Sequence, residues 1–277
     1  MLGIVLAPSA TLACWEDSRF QESRTLEQSF TQSTGLAVET VLGSITIKAH
    51  DADTIDLVYR ETLRARDRVA LERAKNEVDL FVERRGEWLE LGVDSPYRDR
   101  EGNIDYNHRL DYCILADFEL RVPRRLDLDV HTVTEGEIVI EGVDGDFIVE
   151  HVAGDITLIG VAGDQGEVAT VSGDIHVGFT RNPKTNWSFR TVSGDVDVRL
   201  QPGLDAFFDI TTQFGEVFTS YEVSERIVSA QPVVERKGGR TLVRAGSGYR
   251  VQVGDGGAEL AFETLSGTIY VHDRDAR

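Results

Sequence analysis

The chain has 277 residues, 41% of them hydrophobic, with 26 glycines, 6 prolines and a single methionine, a composition suited to many short strands and tight turns. Acidic residues number 48 against 29 basic ones, a formal charge of -19, which repels phosphate backbones and anionic lipid headgroups and excludes nucleic acid as an electrostatic partner. Cys14 and Cys113 are too few for a disulfide scaffold and show no zinc spacing, and no stretch reaches the roughly 18 apolar residues of a transmembrane helix.

Residues 1–13, MLGIVLAPSATLA, are apolar and uncharged and end in small residues, the pattern of the h-region and cleavage site of an export signal. The basic start of such a signal is missing, and a beginning upstream of Met1 would supply it. The ending TLAC loosely matches a lipobox, which makes Cys14 the candidate lipidation residue, although Thr11 stands where an apolar residue is expected. The other reading of Cys14 is an unpaired or disulfide-bonded cysteine. Residues 14–34 are expected to be a flexible lead-in and 35–277 a single domain. It opens with TVLGSITI, Thr40 to Ile47, followed by LVYRETL and by DRVALERAKNEV, a short helix of marginal length. VDLFVE and WLELGV, separated by Arg85 and Gly86, read as a hairpin. The polar stretch SPYRDREGNIDYNHRLD follows; its DREGNID places oxygen ligands at calcium-like spacing without the full 12-residue loop, so it reads as a solvated loop.

From FELRVPRRLDLDV onward the chain repeats itself. The glycine of a Gly-[Asp/Glu] pair occurs at 136, 145, 154, 163, 173, 194 and 215, steps of 9 to 10 residues that add to coils of 18 to 21, the period of a β-solenoid. TVSGDIHV at 170–177 returns as TVSGDVDV at 191–198, and TLSGTIYV closes the series at 264–271. Alternation puts Ile156 and Leu158, Ile175 and Val177, and Val196 and Val198 on one face of successive short strands. One such strand buries little, but stacked copies share a continuous interior. Parallel strands joined by crossovers favour the right-handed path, so the expected fold is all-β, a right-handed parallel β-helix with a decorated N-terminal cap.

Glycine at each coil corner permits close backbone approach, and the following Asp can accept backbone N–H bonds in the turn. Glu216, Ser44 and Thr268 take the Asp place in other copies, which suits a turn better than a catalytic carboxylate. The functional reading of the same residues is a ladder of Asp174, Asp195 and Glu216, stacked about 4.8 Å apart, holding a cation such as calcium. His131 and His151, one coil apart, and His176 further along read as surface histidines rather than a metal site. Trp187 and Phe189 alternate as core residues. A polysaccharide lyase or hydrolase on such a scaffold needs clustered cations and aromatics, which are scarce along the regular coils, so no catalytic residue and no organic cofactor is assigned.

The ordered set VLGSITIKA, FELRVPRRLDLDV, the tandem T-V-S-G-D-[IV]-x-V units, ITTQFGEVF and ETLSGTIYV resembles the DUF4097 adhesin family of bacteria, related to the DUF2807 head domains, from about Gly35 to His272. The resemblance implies a single-stranded right-handed β-solenoid, an extracytoplasmic setting in the periplasm or at the cell surface, and an adhesin-like role; it brings no catalytic residues. The expected function is therefore a non-enzymatic, exported adhesin-like or envelope-scaffold protein whose partner is an envelope polysaccharide or a surface or membrane protein. The alternatives are an envelope-stress signalling accessory that binds a membrane protein and a carbohydrate-active β-helix enzyme.

Overall fold

The computed structural model describes residues 18–31, 33–96, 111–228, 233–237, 240–244 and 248–274. Residues 1–13, expected to be an export signal, Cys14 and DREGNID lie outside them. In the centre, β8 (Asp127–Thr134), β10 (Phe147–Ala153), β12 (Gly166–Ser172) and β14 (Trp187–Ser193) run parallel in one sheet, and β9 (Ile138–Glu141), β11 (Ile156–Val161), β13 (Ile175–Phe179) and β15 (Val196–Leu200) run parallel in a second. The chain alternates between the sheets, one strand of each per coil. Period-2 alternation turns Val149, Val168 and Phe189 of one sheet, and Ile156, Ile175 and Val196 of the other, into the interior, where each has no exposure. A fully buried aliphatic or aromatic side chain contributes about 1.5–3 kcal/mol, and successive coils add to one uninterrupted core.

Coil order in space departs from coil order in sequence at both ends. The last coil, β22 (Ala258–Ser266) and β23 (Ile269–Asp273), lies between β14 and β15 on one side and β16 (Ala206–Thr212) and β17 (Val217–Thr219) on the other, parallel to all four. The first coil, β2 (Gly35–Glu39) and β3 (Ile45–His50), is likewise inserted between β8 and β9 and the pair β6 (Trp88–Asp94) and β7 (Tyr112–Pro123). Aromatic contacts mark the C-terminal insertion. Phe262 of β22 stacks on Phe189 of β14 at 5.3 Å and meets Phe208 of β16 edge-on at 5.4 Å, and each such pair adds about 0.5–1.5 kcal/mol beyond its burial.

Antiparallel strands close both ends. At one, β4 (Thr54–Ala65) pairs with β7, β1 (Phe20–Thr31) with β4, and β5 (Asp79–Arg85) with β6. At the other, β21 (Tyr249–Val253) pairs with β16, β18 (Val223–Val228) with β21, β20 (Arg240–Arg244) with β17 and β19 (Val233–Lys237) with β20. The expectation of one parallel helix in chain order thus holds for the central coils alone, and the whole is a pair of mixed sheets. Interchangeable motif copies give the sequence no means of stating which copy stacks on which.

The lead-in expected to be flexible forms β1. Its sequence FQESRTLEQSFT has little apolar content, but Leu26 and Phe30 pack against the core, and Arg24 meets the buried Glu61 of β4 at 2.9 Å. Glu61 also accepts from the Tyr59 hydroxyl at 2.9 Å, so its charge is compensated on two sides. The hairpin expected around Gly86 is β5 and β6, and the helix is α1 (Arg68–Glu77). Asp67 caps α1 by accepting from Ala70 N–H at 2.8 Å, and Ala70, Leu71 and Ala74 pack with Leu63, Tyr112 and Ile114. Tertiary burial supplies what this 10-residue helix lacks in length.

Phe262→Ala should cost about 3–5 kcal/mol in urea unfolding, because Phe262 fills the space between two coils that precede it in sequence. A loss below about 1 kcal/mol would reject the inserted position of the last coil.

Candidate functional site

The five residues Thr-Val-Ser-Gly-Asp divide the work of a coil corner. Glycine comes first in importance: a Cβ added at Gly194 would lie 2.0 Å from the Gly173 carbonyl oxygen, and one at Gly173 would lie 2.1 Å from that of Gly154. Each corner therefore rests on the backbone of its neighbour, and only glycine fits. Threonine points inward beside it. Thr170, Thr191 and Thr264 are buried and donate from Oγ1 to the carbonyls of Gly154, Gly173 and Gly194 at 3.1, 3.1 and 3.2 Å, which satisfies a buried hydroxyl and a corner carbonyl together.

The aspartates form a second column. Asp155 Oδ1 accepts from Asp174 N–H at 2.8 Å, Asp174 Oδ1 from Asp195 N–H at 2.8 Å, and Asp195 Oδ1 from Thr268 N–H at 2.7 Å. Each carboxylate thus binds the backbone of the next coil, a charge-assisted bond. Insertion of the last coil puts Thr268 next to Asp195, so Glu216 follows Thr268 in the column instead of completing a run with Asp174 and Asp195. Among the described residues no group of three or more His, Cys, Asp or Glu side chains could hold a metal ion.

The histidines separate. His151 occupies the threonine place of its coil, opposite Thr132 and Thr170, and is 3% exposed. Its Nε2–H donates to the Gly136 carbonyl at 3.3 Å, and Nδ1 accepts from Ala153 N–H at 3.2 Å. Burial lowers its pKa, with the Gly136 carbonyl and Asp155 opposing. His131 faces outward, bonded to Asp129 and 3.3 Å from Glu150. Burial disfavours its charge, but these carboxylates outweigh that and raise its pKa. On the outer face of the second sheet, His176 lies opposite Asp197, which hydrogen-bonds His272 at 2.8 Å. Burial pushes the Asp197 carboxyl up, yet His272 and Arg199 hold it below the ordinary carboxylate range. Trp187 and Phe189 are core residues, 1% and 0% exposed.

Valine at the second motif position is the surface feature that the sequence reading passed over. With threonine inside, alternation turns its neighbour outward. Val41, just past the end of β2, and Val133, Val152, Val171, Val192 and Leu265 on β8, β10, β12, β14 and β22 consequently form one row across the first sheet. Val152, Val192 and Leu265 are 44%, 38% and 43% exposed, and Phe214, at 78%, stands near its end. On one side of the row lie Glu39, Glu150 and Glu263, interrupted by Ala169, His131 and by Arg190, which pairs with Glu167. On the other lies the corner column of Asp155, Asp174 and Asp195. An apolar strip between an acidic corner column and a mixed, glutamate-bearing margin is what the corner motif and its flanks write on the surface. Cys113, in β7, is disulfide-bonded.

Asp195→Ala should cost about 1–2 kcal/mol in urea unfolding by leaving Thr268 N–H without its acceptor, whereas Asp195→Asn keeps a carbonyl there and should cost less than half as much; equal losses would deny the inter-coil bond. His151 makes a second test. Its lowered pKa means the unfolded chain takes the proton first, so its share of stability is present above about pH 6.5 and is lost as pH falls below it. His151→Thr, which restores the threonine column, should gain on the parent protein between pH 7.5 and pH 5.5 in thermal unfolding, and a gap that does not change with pH would rule out this role.

Residues 126–241 match the Toastrack DUF4097 family. A search of curated proteins finds no match. Among solved structures the chain is similar to a candidate cell adhesion protein from Clostridium sporogenes, at 12% identity over 91% of this chain and 100% of that one with a TM-score of 0.40. It is similar to a candidate adhesin from Bacteroides fragilis, at 10% identity over 90% and 97% with a TM-score of 0.41. A third likeness is to a candidate lipid binding protein from Parabacteroides distasonis, at 12% identity over 91% and 96% with a TM-score of 0.32. The match to the Toastrack DUF4097 family thus covers the central coils, β8 to β15, and runs on into the strands of the C-terminal closure.

Proposed function

We propose that this protein is an exported, non-enzymatic β-solenoid, wound in the right-handed sense that parallel crossovers favour, which binds a component of the cell envelope along a rigid outer face. The observation that carries this reading is the division of the corner motif: its threonine, glycine and aspartate bind neighbouring coils, while the residue after threonine turns outward in register and is exposed at Val152, Val192 and Leu265. Groups so engaged hold geometry rather than turn over a substrate, and a row of fixed pitch gives an extended partner several equivalent contacts at once. No helix among the described residues is long and apolar enough to cross a membrane.

Purified protein should be retained by the envelope of its source organism, fractionated into polysaccharide and membrane-protein pools, with and without calcium. Retention on polysaccharide supports the adhesin-like reading, and its dependence on calcium would bring Asp174 and Asp195 into the contact. Retention on the protein pool alone replaces adhesion with an envelope-signalling or scaffold partner, and passage through both pools overturns envelope binding altogether.

A further inference from the structure

The valine row has a length, a shape and a charge that together describe what would cover it. Six rungs about 4.8 Å apart make a straight apolar strip about 24 Å long, crossing the strands rather than following one. Its direction excludes strand addition, which uses a sheet edge. A helix rising about 1.5 Å per residue spans the strip in about 16 residues and can lay one face of leucines or valines along it. The strip is one residue wide, matching the apolar stripe of an amphipathic helix.

Charge decides between occupants. Glu39, Glu150 and Glu263 are interspersed with His131, Ala169 and Arg190 on one side, and Asp155, Asp174 and Asp195 border the other, in a chain of net charge -19. A second copy would bring the same acidic margins against these, and an anionic bilayer would be repelled in the same way. A helix with Lys or Arg flanking its apolar face meets opposite charge along the corner aspartates and at Glu39, Glu150 and Glu263, while His131 and Arg190 between them are each paired with a glutamate. We infer that the valine row is a docking surface for a basic amphipathic polypeptide helix of about 16 residues. This inference rests on the reading of the protein as a binding scaffold and deepens it by naming the partner class. Phe214, 78% exposed near the Leu265 end, is placed to cap the helix at that terminus.

The test is isothermal titration of the full chain with an 18-residue synthetic helix of leucines on one face and lysines on the other, beside a peptide of the same composition with its amphipathic order scrambled. The ordered peptide is expected to bind at least tenfold more tightly than the scrambled one. The variant V152T/V192T/L265T keeps strand-forming residues at three exposed positions and should weaken the ordered peptide at least tenfold while leaving the scrambled one unchanged; the single V192T, expected to weaken it severalfold, serves if the triple variant does not fold. Equal affinity for the two peptides, no binding, or a variant that binds like the parent overturns the inference, as does wild-type self-association that the triple variant loses, which would assign the row to a second copy. Running the triple variant through the envelope fractions separates the two readings: retention equal to wild type overturns the valine row and leaves envelope binding intact, and failure of wild-type retention with peptide binding preserved does the reverse.

Discussion

Coils in this protein stack at the spacing of hydrogen-bonded strands, about 4.8 Å, and at the corners that spacing brings backbone against backbone. Nothing larger than a hydrogen atom fits between Gly194 and the Gly173 carbonyl, so the corner tolerates no Cβ. The same crowding leaves corner carbonyls and N–H groups that ladder pairing alone does not reach. Threonine hydroxyls answer the carbonyls and aspartate carboxylates answer the N–H groups of the next coil, which is why the motif is five residues long and why it recurs. Repetition here is the solution to one packing problem met at every turn of the chain.

Insertion of the first and last coils into the stack adds a second constraint. A solenoid built in chain order would hold its terminal coils by one face each and could fray from either end. Here Phe262 is gripped between Phe189 and Phe208, and β2 is paired on both edges by β6 and β8. The segments left to form the ends turn antiparallel and carry polar or charged outer residues, such as those of β1, a known means of keeping sheet edges from pairing with other molecules. The first and last coils thereby lock the stack, and β1 together with segments that lie between coils in the chain caps it.

Because the inward and lateral members of the motif are committed to neighbouring coils, surface character falls to its remaining positions. Valine, between buried threonine and exposed serine, builds an apolar row; the next outward position builds a charged one in which Glu39, Glu150 and Glu263 are interspersed with His131, Ala169 and Arg190. Substitution within the motif shows the same logic from inside. His151 replaces a threonine and keeps its task by donating from Nε2 to the Gly136 carbonyl, at the expense of a buried titratable group whose proton would displace the Ala153 N–H bond.

The sequence by itself determined what is local and periodic. Alternation fixed which of Ile175, Val177, Val196 and Val198 face inward, the recurring glycines marked the coil corners, and Arg85-Gly86 marked the hairpin, because a side chain's direction in a strand and a backbone's freedom at a turn are set within a few residues. The role of aspartate was half legible: its bond to a backbone N–H was expected, but within its own turn rather than to the next coil. Only the tertiary structure decided the rest. Motif copies at 40–47 and 264–271 are chemically equivalent rungs, so their place in the stack depends on end closure and aromatic packing between residues far apart in the chain. β1 owes its order to Arg24 and the buried Glu61, a contact across 37 residues. His151 and His131 differ in environment because one strand face is core and the other is solvent, and the valine row exists only where six separated segments lie side by side.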